Sequence, residues 1–259
     1  MAREKGEPIV VLGAGIAGLS AAKSLREAGY SEHLILLGGE QGLPYKRTHL
    51  SKNLYRPMVR GEFAMISPDE IKSLEIDYRS PVWAEKINHQ KKILYLGPES
   101  ISYSKLVLAL GSAPLVSPGY YFEDDFLRLQ KALEGQSRHV RIFGSGVLGA
   151  ELAEQLARQG HRVTMTCRGV YPMARELPNP IGSQLIQLLE ENGIEISFGS
   201  SPASPDADAL SLSALGVQAQ TQLARSSGLE VRGGICVNAY LETSVPDIIA
   251  IGEIGRAHV

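Results

Sequence analysis

The 259-residue sequence predicts an α/β fold made of two repeats of one plan: strand, glycine-rich loop, helix, strand. Three observations carry this reading. Two glycine-rich loops, Gly13-Ala14-Gly15-Ile16-Ala17-Gly18 and Gly144-Ser145-Gly146-Val147-Leu148-Gly149, stand 131 residues apart. Each follows a short apolar run and precedes a segment with helical periodicity, the context of a buried parallel strand turning into a helix. Apolar residues make up 44% of the chain, enough for a substantial core.

In order along the chain, Pro8–Leu12 reads as a buried strand, Leu19–Ala28 as a helix stopped by Gly29, and Leu34–Leu37 as a second buried strand with Glu40 just past its end. Residues 38–61 are turn-rich and carry Lys46, Arg47, Lys52, Arg56 and Arg60. Residues 67–104 predict a helical turn and then short strands at Pro81–Ala84, Lys92–Tyr95 and Ile101–Tyr103. Leu106–Leu110 is another buried strand, closed by Gly111-Ser112, and Pro114, Pro118 and Gly119 mark a boundary. The plan then restarts. Asp124–Leu133 reads as a helix and Val140–Phe143 as the strand feeding the second loop. Leu148, Leu152 and Leu156 recur at helical spacing until Gly160, and Val163–Thr166 is the next strand. Ile181–Glu191 is an amphipathic helix stopped by Asn192-Gly193, and Ile194–Phe198 alternates as a strand. Residues 199–209, rich in Ser, Pro, Ala and Asp, read as a linker or exposed loop, and Ile248–Glu253 as a last buried strand. Two modules of one kind are the most economical description.

Bulk properties exclude several functions. A net charge of −2 without a long basic run speaks against nucleic acid. No stretch of about 18 apolar residues is present, so no membrane span is expected. The first residues hold no apolar signal core, which makes the cytoplasm the expected location. The two cysteines, Cys167 and Cys236, have no paired spacing; a disulfide framework and a cysteine-based metal site are unsupported, and both read as packing residues.

The glycines have separate tasks. Gly13 permits the tight turn, Gly15 lets the backbone approach a pyrophosphate, and Gly18 lets the helix pack close to the strand, with Ala17 between them in the motif. The anion then meets the free N–H groups of the helix N-terminus. Glu40 is placed to accept hydrogen bonds from a ribose diol. Gly144, Gly146 and Gly149 repeat the logic, with Glu151 two residues on. Where an NAD-preferring site carries an acid at the end of the next strand, this chain has Cys167 and then Arg168. The missing carboxylate and the adjacent guanidinium lean toward NADPH; the alternative reading of Arg168 is a solvated surface charge.

The segment Pro44-Tyr45-Lys46-Arg47-Thr48-His49-Leu50-Ser51-Lys52 is the most specific motif. It resembles the Pro-Tyr-x-Arg-x-x-Leu-Ser-Lys segment of the FAD-dependent pyridine nucleotide-disulfide oxidoreductases, in the rubredoxin and ferredoxin reductase group. Tyr103–Ser112 resembles that family's Ala-Thr-Gly strand, with Ala109 and Gly111 in place and Leu110 where Thr is common. Thr243–Glu253 resembles its second FAD motif, with Gly252 kept and Glu253 where Asp is usual. The resemblance covers about Pro8 to Glu253. It implies two Rossmann-like, three-layer (ββα) dinucleotide-binding domains, the NAD(P) domain inserted into the FAD domain: residues 1–118 and 229–259 for FAD, 119–228 for NAD(P). It implies that Arg47 and Lys52 contact FAD, that Lys52 pairs with Glu151, that the backbone near Val82 holds the adenine, and that Glu253 takes the ribitol contact. A cation beside the flavin stabilises the charge of the reduced ring.

The chain also departs from the resemblance. No Cys-x4-Cys follows the first glycine loop, so a dithiol relay is excluded. Gly199–Asp208 stands where relatives have a strand-rich segment, Tyr121 stands where an Arg is often seen, and no C-terminal domain follows Glu253. The expectation is an FAD oxidoreductase that moves hydride from NAD(P)H to flavin and electrons onward to a rubredoxin- or ferredoxin-like carrier. Two alternatives stay open: an NAD(P)H oxidase reducing oxygen, and a nucleotide-binding relative without turnover that senses redox state or acts as a scaffold. An uncovered flavin face implies self-association or a partner chain.

Overall fold

The computed structural model describes residues 6–199 and 209–257. The chain forms two compact units, both discontinuous in sequence: residues 1–46, 63–113 and 219–259 make the first, and residues 47–62 and 114–218 the second. The sequence reading cut the chain at 118/119 and 228/229; the contacts part at 113/114 and 218/219 and place 47–62 in the second unit. The reason is local bonding. The Tyr120 hydroxyl donates to the Leu50 carbonyl (2.6 Å), and the buried Glu123 carboxylate accepts from the Gly61 N–H (3.0 Å) and pairs with Arg60 (3.2 Å).

The core of the first unit is a five-stranded parallel sheet in the order Ile248–Ala250, Lys105–Leu108, Ile9–Leu12, Leu34–Leu37, Ile76–Arg79. Apart from the edge strand Ile76–Arg79 and the first residue of Lys105–Leu108, its strands are apolar on both faces because both faces are covered. Val10, Leu12, Ile35, Leu37, Leu106 and Leu108 pack with Ile87 and Leu94 of a three-stranded antiparallel sheet spanning Lys86–Ser102. Ile9, Val11, Leu34, Leu36 and Val107 pack with Leu19 and Ala22 of the helix Ile16–Glu27 and Ile71 of the helix Pro68–Ser73. Strand alternation thus sorts neighbouring residues into two cores and produces three layers, sheet on sheet on helix.

Two local differences from the sequence reading have physical causes. Ile76–Arg79 is an edge strand, invisible to an apolar-run reading because its sequence is Ile-Asp-Tyr-Arg and only Ile76 is fully buried. Pro81–Ala84 is not a strand; the Val82 N–H bonds the Gly38 carbonyl (2.7 Å) and the segment crosses between sheets.

In the second unit the parallel sheet runs Ile194–Phe198, Arg162–Cys167, His139–Phe143, Leu210–Ser213. Here the strands alternate: Val163, Met165 and Cys167 are buried, while Arg162 is exposed and Thr164 bonds polar neighbours, His139 (2.9 Å) and Glu195 (3.3 Å). Among the described residues this unit holds no counterpart of the three-stranded antiparallel sheet. Residues 200–208, on which the linker reading falls, lie outside the described residues. Cys167 and Cys236 are both buried thiols, as their reading as packing residues requires. No helix among the described residues is long and apolar enough to cross a membrane.

The entry to the strand Ile248–Ala250 is fastened by charge. Asp247, at φ 62°, is held by Lys92 (2.6 Å) and Lys105 (2.8 Å). Hydrogen bonds first from Lys105 and then from Lys92 hold its carboxyl down at about 2. A carboxyl whose folded pKa lies below its unfolded one adds stability above the unfolded value and loses it as pH falls toward the folded one. Asp247→Asn, a residue that tolerates this backbone conformation, is therefore expected to lower the melting temperature at pH 7. Its deficit should shrink between about pH 4 and pH 2, where wild type protonates the same group. A deficit that is constant from pH 7 to pH 2 in thermal melts would refute the assignment.

Candidate functional site

The first glycine loop links Ile9–Leu12 to the helix Ile16–Glu27. Gly13 sits at φ 111°, and a Cβ there would stand 2.2 Å from the Ala109 carbonyl oxygen. A Cβ on Gly18 would stand 1.8 Å from the Gly13 oxygen. These two glycines are demanded by packing alone. Gly15 is different. Its φ of −70° suits any residue, and a Cβ on it would meet nothing within 4 Å. The open space in front of Gly15 adjoins the N-terminus of a 12-residue helix, whose first N–H groups have no partner within the helix.

The second unit repeats this geometry. Gly144, at φ 116°, would place a Cβ 2.3 Å from the Ala214 oxygen, and Gly149 would place one 2.0 Å from the Gly144 oxygen. Gly146, with φ −78°, again faces open space at the start of the helix Val147–Arg158. Ile16 and Val147, at matching loop positions, are exposed apolar side chains (68% and 47%) that a flat ligand on the loop would cover. The Met173 N–H bonds the Ser145 carbonyl (2.7 Å), so residues after Cys167 fold back onto the second loop.

Of the other expected positions of the first unit, Ala109 and Gly252 pack against its loop. Glu40 accepts a hydrogen bond from the Tyr45 hydroxyl (2.7 Å), which orients its carboxylate. Val82 is partly buried, and its N–H is engaged by Gly38. Ala109 is buried beneath Gly13 and Gly18. Gly111 takes φ 63°, and the Gln220 amide clamps its flanks by donating to Leu110 O (2.8 Å) and Ser112 O (3.0 Å). Gly252, at φ 71°, packs against Ala17, where a Cβ would come within 2.8 Å of the Ala17 Cβ. Glu253 follows on an exposed 3₁₀ turn.

In the second unit, Lys52 stands 3.7 Å from Glu151, and the Ser51 hydroxyl donates to the same carboxylate (2.6 Å). The Lys52 side chain is 60% exposed, so the pair itself contributes little stability, under about 1 kcal/mol. Arg47 donates to the Tyr121 carbonyl (2.6 Å), and its guanidinium lies 4.2 Å from the centre of the Tyr121 ring. Tyr121 is thus a platform for the Arg47 cation. Cys167 is fully buried with its thiol toward the Gly169 carbonyl (3.4 Å), whereas Arg168 is exposed.

Sequence reading missed Tyr45 as the partner of Glu40, Ser51 as the partner of Glu151, and Gln220. Tyr45 and Ser51 lay inside the quoted motif, but their bonds span 5 and 100 residues, and nothing in the string announces them. Gln220 reaches back 110 residues.

Comparison with known proteins gives the family and the fold. The sequence profile of the family described as pyridine nucleotide-disulphide oxidoreductase matches residues 7–257. The chain is 30% identical to a rubredoxin-NAD(+) reductase of Acinetobacter baylyi over 97% of its own length and 72% of that protein's. It is 28% identical to a rubredoxin-NAD(+) reductase of Alcanivorax borkumensis, over 95% of this chain and 72% of that one. The crystal structure of NADH:rubredoxin oxidoreductase from Clostridium acetobutylicum superposes with a TM-score of 0.88 at 26% identity, covering 97% of this chain and 69% of that one.

Proposed function

We propose, for a chain that belongs to the pyridine nucleotide-disulphide oxidoreductase family and is an FAD-dependent NAD(P)H oxidoreductase, that it delivers electrons to a small rubredoxin- or ferredoxin-like carrier and, by the residues at its second ribose, Cys167 and Arg168, favours NADPH, whereas the similar reductases are named for NAD(+) or NADH. The observation that carries the reading is the pair Gly15 and Gly146. Each lacks a side chain although its backbone and surroundings would accept one, so each leaves a cradle for a ligand that would be filled by a Cβ. Two such cradles fit two dinucleotides, FAD in the first unit and NAD(P)H in the second. The names of the similar reductases support the kind of acceptor.

Bound FAD would supply a group able to take a hydride and release electrons singly. The chain's residues do the rest. The Gly13–Gly18 loop and its helix N-terminus hold the pyrophosphate. Glu40, oriented by Tyr45, accepts from the ribose diol. Arg47 and Lys52 are the cations assigned to the FAD, and Glu151, fixed by Ser51, sets where the Lys52 ammonium rests. Ala109, Gly111, Gly252 and Glu253 complete the first site, and Gly144, Gly149 and Arg168 the second. At the second ribose, the buried Cys167 offers no carboxylate to repel a 2′-phosphate, and the exposed Arg168 offers a cation.

The test is an absorbance spectrum of the purified protein from about 300 to 600 nm, before and after anaerobic NADH and then NADPH. A yellow protein bleached faster by NADPH is expected; a colourless protein that takes up no FAD would sink the reading. Arg168→Glu should raise the KM for NADPH about tenfold, the loss of about 1.4 kcal/mol of charge-assisted contact, with little change for NADH. Equal effects on both nucleotides in steady-state assays would remove Arg168 from the site.

A further inference from the structure

We infer that Trp83 forms the wall of the first unit's site against which the adenine of the dinucleotide stacks. The inference rests on the proposal that this unit holds FAD. Trp83 is the chain's single tryptophan, and its side chain is 60% exposed on a segment whose neighbours Val82 and Ala84 turn inward to the core. An exposed indole presents a broad, rigid π-face on which a flat ligand can stack.

Its position is built. Three atoms of its six-membered ring lie 3.0–3.2 Å from where a Gly39 Cβ would stand, so the ring rests on the bare backbone of Gly39. Gly39 precedes Glu40, the proposed ribose acceptor. Gly38, on the other side, approaches the glycine loop: a Cβ there would stand 3.1 Å from the Ala14 Cβ. The order from Ala14 through Gly38 and Gly39 to Trp83 runs from the pyrophosphate end of the site to its nucleoside end. The backbone near Val82 is expected to hold the adenine, but the Val82 N–H is already donated to the Gly38 carbonyl at 2.7 Å. That amide is committed, and the exposed indole is the adjacent group able to bind a base through its π-face.

The single tryptophan makes its own test. Flavin-free full-length protein is titrated with ADP, FMN and FAD while indole emission is recorded. ADP carries the adenosine without the flavin, so quenching by ADP reports the base and not energy transfer to the isoalloxazine. We expect ADP, which has no flavin, to quench; FMN, which has no adenosine, serves only as the binding control, because its isoalloxazine can quench by energy transfer. Trp83→Ala should weaken FAD binding by about tenfold, Trp83→Phe should restore most of it, and both should bind FMN as wild type does. Circular dichroism melts of the variants control for folding. If Trp83→Ala binds FAD as tightly as wild type, or if ADP competes with FAD without changing emission, the inference falls while the flavoprotein reading stands. If wild type binds no FAD at all, both fall.

Discussion

Gly15→Ala is expected to yield a folded, soluble and colourless protein. A methyl group on Gly15 meets no atom of the protein within 4 Å, and the backbone there needs no glycine, so stability should be close to wild type. What the methyl does meet is the space in which a pyrophosphate must approach the helix N-terminus. Losing two charge-assisted hydrogen bonds at about 1.5–3 kcal/mol each weakens FAD by at least about a hundredfold. Gly18→Ala is the control with the opposite signature. Its Cβ would lie 1.8 Å from the Gly13 oxygen, backbone that cannot step aside, so that variant should lose the fold and not the ligand alone. Differential scanning calorimetry with and without FAD separates the two. Wild-type FAD affinity in Gly15→Ala would overturn the assignment of the first loop.

Gly146→Ala tests the second loop in the same protein. The same argument predicts an intact fold, because the added methyl again meets nothing within 4 Å. Here FAD should stay bound and the protein should stay yellow. The KM for the nicotinamide nucleotide should rise about a hundredfold while kcat at saturation changes little, the mark of lost uniform binding. The observation that would sink it is anaerobic reduction of Gly146→Ala at wild-type rate and wild-type KM. Together the two substitutions divide the site by cofactor: one removes colour, the other removes reduction while leaving colour.

Much of this was legible in the string. The runs Pro8–Leu12, Leu34–Leu37 and Leu106–Leu110 were readable because a parallel strand buried on both faces leaves a nearly unbroken apolar run. The glycine loops were readable because chain sterics force their spacing. Ile76–Arg79 was not, since an edge strand needs only one buried residue and its partner lies 42 residues away. Nor was the membership of residues 47–62 in the second unit: it depends on Tyr120, Glu123 and Glu151 reaching Leu50, Gly61 and Ser51 across 62 to 100 residues of chain.

The sequence by itself determined the repeated α/β plan, the two nucleotide loops and the family, because local sterics and hydrophobic period are written in consecutive residues. The tertiary structure decided which glycine of each loop is kept for packing and which faces open space. It also decided that Tyr45 orients Glu40, that Ser51 holds Glu151, and that Trp83 rests on Gly39. Those outcomes are distances between atoms far apart in the chain, and such distances exist only once the core has closed around them.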